Sequence, residues 1–195
     1  EISHGIGPGK IKTAAGEETT VGLALKEIYP HLEEAKADIL GLYNNLLLVD
    51  KGVEKLHAVE IGSDGKETKT KLSKEDARKA LVATFLAGIF RSVRFGTEEA
   101  HGKANLLILN HMMKSGAFVW DKKQKRFDVD WDKVEAGAEA CAKELLMIQA
   151  LGDYKAGEAF IKKYGERPKV LETVLSGFKD MPIDVEPVFR IPKVD

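Results

Sequence analysis

The sequence predicts a mainly α fold with one small β-hairpin, built as a single helical domain over residues 1–195. Three observations lead there. Apolar residues recur at helical spacing through most of the chain, as at Leu32, Ala35, Ile39, Leu42, Leu46 and Leu47. Helix-start chemistry precedes these runs, with Pro30 in a first turn and Ser73 followed by Asp76 as a capping box. Period-two alternation is limited to HAVEIGSDGKETKT and to AFVWDKKQKRFDVDW, where Phe118 and Trp120, then Val129 and Trp131, flank a charged turn.

Taken in order, a short helix should end near His4, and residues 5–22, rich in glycine and threonine, read as an irregular loop. A long amphipathic helix follows from Pro30. HAVEIGSDGKETKT contains a Ser-Asp-Gly turn and reads as a short hairpin or a solvated loop. Residues 74–94 form the next helix, with Ala80, Leu81, Phe85, Ile89 and Phe90 on its core face, and another runs from near Thr97 to Gly116. The basic run KKQKR is then the solvated tip of the hairpin. Asp130 can cap a helix over residues 131–151, with further helices over 153–164 and 168–176, the last stopped by Gly177. The tail DMPIDVEPVFRIPKVD carries three prolines and should be extended. There is no internal repeat.

Thirty basic residues against thirty-one acidic ones leave a net charge of -1, which gives no footprint for nucleic acid or an anionic membrane surface. At 44% hydrophobic residues the chain can bury a core without staples, and no apolar run is long enough to span a bilayer. The single cysteine, Cys141, lies in the helical pattern EAGAEACAKELL and reads as a small core residue; a reducing compartment is permitted, and the expected location is the cytoplasm.

The chemistry starts at EISH. In the zinc-hydrolase pentad HExxH, two imidazoles one helical turn apart hold one ion while the glutamate beside the first activates water. Glu1 and His4 supply the ExxH part, and the expectation is that a histidine precedes residue 1 in a longer protein. A hydrolytic zinc site needs a third protein ligand and an open position. The segment LEEAKADILGLY offers one: Glu34 and Asp38 share a helical face, so one can bind the ion while the other accepts a hydrogen bond from a ligand imidazole. Glu33 points about 100° away and could brace a second ligand. The plainer reading makes EEAKAD a charged helix face with a Glu33–Lys36 pair. GIGPGK lacks the spacing and the Ser or Thr of a phosphate loop. His31, His57 and His111 show no partner pattern.

Together these segments resemble the zinc-dependent dipeptidyl peptidase III family, which carries HExxxH, a glycine-rich HGxGK stretch and a motif of the form EExxAExxGLY. His4-Gly5-Ile6-Gly7-Pro8-Gly9-Lys10 is similar to the first run; Glu33, Glu34, Ala37, Asp38, Gly41, Leu42 and Tyr43 match the second. EISH has two residues between glutamate and histidine where the family's best-known members have three, Asp38 replaces a glutamate, and the gap between motifs is shorter. The resemblance implies Zn2+ as cofactor, Glu1 as general base, His4 and Glu34 as metal ligands, and Glu33 and Asp38 as supports behind them. AHGKANLLILNHMM resembles the family's helix beginning AHMQAR, which implies that His101 binds substrate and transition state; Asn105, on the same face, stands where relatives have arginine. It further implies a peptide substrate, release of dipeptides from peptide N-termini, and an upstream lobe that completes a two-lobed enzyme. The rival expectation is a non-catalytic helical binding or scaffolding domain that keeps a remnant of the site.

Overall fold

A computed structural model describes residues 2–13 and 16–182. A 3-10 turn, Ile2–Gly5, leads into strands β1 (Lys10–Lys12) and β2 (Glu18–Thr20), followed by the short helix α1 (Val21–Leu25). Helix α2 (Tyr29–Asp50) has Pro30 in its first turn, where a missing N–H costs nothing, and buries Leu32, Ala35, Ile39, Leu42, Leu46 and Val49. It forms the axis of the fold, packing on α3 (Lys74–Val93), α4 (Ala100–Lys114) and α5 (Val134–Leu151). Between α2 and α3 stand β3 (His57–Ile61) and β4 (Glu67–Lys71); between α4 and α5 stand β5 (Phe118–Asp121) and β6 (Arg126–Val129). Helices α6 (Tyr154–Tyr164) and α7 (Lys169–Ser176) follow α5.

The caps explain the boundaries. Ser73 Oγ accepts from the Asp76 amide at 3.1 Å, and Asp153 accepts from Ala156 N at 3.0 Å, so α3 and α6 start where local chemistry places them. Helix α5 ends at Gly152, whose left-handed φ of 58° also brings its Cα against Ile11 and Ala24. Helix α4 is apolar nearly all round from Ala104 to Leu109, and those residues are almost wholly buried, as a central helix requires. Gly102 lets α4 close on its own approach loop, since a Cβ there would sit 2.0 Å from the Gly96 carbonyl oxygen. Among the described residues no helix is long and apolar enough to cross a membrane.

Several expectations shift. Among the described residues three antiparallel hairpins stand where one was expected: β5–β6 as read, β3–β4 resolved in favour of a hairpin, and β1–β2 inside the stretch taken for irregular loop. Strands of three residues are too short to show alternation. The segment ending at His4 is a 3-10 turn, and α4 begins at Ala100 rather than near Thr97. Helix α5 begins at Val134, because the Asp130 side chain holds a turn, accepting from Asp132 N at 3.2 Å and Lys133 Nζ at 2.7 Å. Residues 183–195, and with them most of the proline-rich tail, lie outside the described residues, as does Glu1.

Candidate functional site

Helix α2 carries Glu33, Glu34 and Asp38, and two other elements bring imidazoles to it. The Ile2–Gly5 turn sets His4 over the first turns of α2, with His4 Nδ1 3.1 Å from Glu33 Oε1 and His4 Nε2 3.6 Å from Glu34 Oε2. From the start of α4, His101 Nε2 comes to 3.4 Å from the same Glu34 oxygen. One carboxylate oxygen thus lies near two imidazoles separated by nearly a hundred residues of chain. Glu34 is aimed inward, its side chain 22% exposed, while His101 is 66% exposed at the rim.

Glu33 holds the first imidazole. A neutral ring that donates from Nδ1 to this carboxylate keeps its lone pair on Nε2, directed at Glu34. In that tautomer, Nε2 and the Glu34 oxygen 3.6 Å away are two acceptors that a cation can bridge. Donors bound 2.0–2.2 Å from a tetrahedral ion stand roughly 3.4 Å apart, so the His4–Glu34 spacing fits zinc. Among the described residues no group of three or more His, Cys, Asp and Glu side chains is disposed to hold a metal.

Asp38 does not meet His4. Its Oδ2 accepts from Asn105 Nδ2 at 3.3 Å, and Asn105 also lies 2.9 Å from the His101 carbonyl and 3.3 Å from Ser92 Oγ. Burial, reinforced by the Glu34 charge, raises the Asp38 pKa above the usual carboxylate range, with His101, Asn105 and His4 opposing. Asn105 is 8% exposed, and its amide donates toward Asp38 and its own helix.

No family model matches the chain. It is similar to the dipeptidyl peptidase III structure from Caldithrix abyssi, at 37% identity and a TM-score of 0.83 over 97% of this chain and 32% of that one. It is similar in the same way to dipeptidyl-peptidase III from Corallococcus sp. strain EGB, at 38% identity and a TM-score of 0.80 over 96% of this chain and 31% of that one. The chain is dipeptidyl peptidase III-like. It also matches a protein named Nudix hydrolase 3 from Arabidopsis thaliana, 36% identical over 98% of this chain but only 22% of that protein. The chain thus spans about a third of each solved relative and under a quarter of the plant protein.

Two residues of this candidate site were missed or read only as surface. Lys36 is 2% exposed and reaches both Glu33 and the His4 turn. Tyr29 lines a cavity of about 420 Å³ with His4, Glu33 and Lys36, and its phenol is held protonated by burial and by the Glu33 and Glu34 charges. The i to i+3 spacing of Glu33 and Lys36 was visible; that Lys36 is buried was not.

Proposed function

We propose that this chain is the zinc-bearing helical part of a peptidase of the dipeptidyl peptidase III kind, the rest of which lies in a longer protein. The observation that carries the reading is the His4–Glu34 pair: an imidazole braced by Glu33 on one nitrogen and aimed at a carboxylate 3.6 Å away with the other. His4, Glu34 and an imidazole preceding Glu1 would hold the ion. Bound zinc supplies Lewis acidity for a scissile carbonyl and brings the pKa of water down to about 7.

The chain's own groups do the rest. Glu33 keeps the His4 ring in one orientation and one tautomer. Glu1 accepts the proton from water and returns it to the leaving amine, the usual economy of a single general base and acid. His101, exposed at the rim and close to Glu34, donates to the developing oxyanion. Asn105 and Asp38 hold the first turn of α4 against α2 and so set where His101 stands. Peptide is the substrate class, and a second lobe supplies recognition of the free N-terminus.

The test uses the longer chain that includes the residues before Glu1. About one zinc per chain, hydrolysis of dipeptidyl-arylamides or longer peptides that chelator removes, and loss of hydrolysis with retention of metal in Glu1→Gln support the reading. A folded protein with neither metal nor hydrolysis leaves the binding-domain reading standing. Metal with no peptide cleavage points to a zinc hydrolase of another substrate.

A further inference from the structure

Lys36 lies on α2 between Glu33 and Asp38, yet its side chain is 2% exposed, among the largest fully buried side chains in the molecule. A lysine ammonium carries three protons. Here three acceptors surround it: Glu33 Oε1 at 2.7 Å, the Ile6 carbonyl at 2.9 Å and the His4 carbonyl at 3.1 Å. Every proton is used, and none is left for solvent. A buried cation is costly unless its charge and its donors are all matched, and this one is matched only while the Ile2–Gly5 turn and the following glycine-rich loop lie against α2.

The same Glu33 oxygen that takes the Lys36 proton also takes the His4 Nδ1 contact. Lys36 therefore fixes both ends of one relation. It pins the backbone that carries His4, and it locks the carboxylate that reads the His4 ring. We infer that Lys36 is a positioning residue: its ammonium, shared between Glu33 and the His4 and Ile6 carbonyls, sets the His4 ring in the Nδ1–H tautomer with Nε2 presented to the ion. This rests on the metallopeptidase reading for the ion but not for the tautomer.

The experiment separates the two. In the metal-free longer chain at about pH 8, above the histidine range, 15N chemical shifts of His4 report its tautomer. The wild type should show the Nδ1–H form alone, and K36M a mixture of both forms, with circular dichroism unchanged. Zinc affinity, measured by competition with a chromogenic chelator, should weaken about 10- to 100-fold in K36M, the range for loss of an outer partner of a ligand. In a double-mutant cycle, K36M should add little to the loss already caused by Glu33→Gln. A folded K36M that keeps the wild-type tautomer and zinc affinity overturns the inference, as do losses that multiply in the cycle. If K36M does not fold, K36Q decides by the same shifts: its amide carries no charge and only two donors for three acceptors, so a wild-type tautomer there also overturns it. If neither wild type nor His4→Ala takes up zinc, the metallopeptidase reading fails, and the tautomer measurement still judges Lys36.

Discussion

His4 and His111 each hold Nε2 close to a glutamate, at 3.6 Å from Glu34 and 3.4 Å from Glu144, and they differ in everything else. His4 has its second nitrogen satisfied by Glu33, a second imidazole near the same carboxylate oxygen, and a side chain one-third exposed beside a cavity. His111 is 6% exposed and packed against Tyr164, with ring centroids 4.8 Å apart, and against Phe160 at 6.2 Å; its Nδ1 is buried with no partner. Proximity to a carboxylate does not make an imidazole a ligand. What separates the two is a brace on the far nitrogen and an adjoining cavity, the two features the proposed ligand role needs.

The sharpest way to break the comparison is to remove the shared carboxylate. Glu34→Gln in the longer chain should take zinc from about one equivalent to none, by elemental analysis, while His111 variants retain it. Next in size, His111→Ala should cost about 2–4 kcal/mol in urea unfolding, by opening a cavity under Phe160 and Tyr164, with metal content unchanged. Smaller again, Asp153→Ala removes the cap of α6, the helix that covers His111, and should cost about 1 kcal/mol with no effect on zinc.

The subtlest test uses pH. Burial, with Lys163 and Lys114 nearby, depresses the His111 pKa below its ordinary value, and Glu144 only partly opposes this. The unfolded chain then binds more protons at this site than the folded one, so its contribution is full above the ordinary histidine range and is lost as pH falls through that range toward the depressed value. Stability measured by urea at about pH 8 and about pH 5.5 should fall toward acid, and His111→Leu should flatten the slope. His31, lowered mainly by burial, gives a weaker slope of the same sign that the variant leaves in place.

Cys141 follows the packing side of this contrast. It is fully buried, and burial pushes its thiol pKa up, which matches the core role its helical surroundings suggested.

The long helices were legible because their causes are local. Pro30, the Ser73 cap, the Asp153 cap and Gly152 act on neighbours within one turn, and the apolar spacing of α2 and α3 repeats every few residues. The adjacency of Glu33 and Glu34 belongs to the same class. What the sequence by itself determined is therefore which faces α2 and α4 present. Only the tertiary structure decided what meets them: His4 reaches Glu33 across 29 residues and Asn105 reaches Asp38 across 67, and neither distance follows from periodicity. It also drew Asp38 to Asn105, and turned Lys36 from a surface charge into a buried three-proton clamp. Side chains find partners at long range only after whole elements have packed, because that packing, driven by apolar area elsewhere on the same helices, sets where each polar group comes to rest.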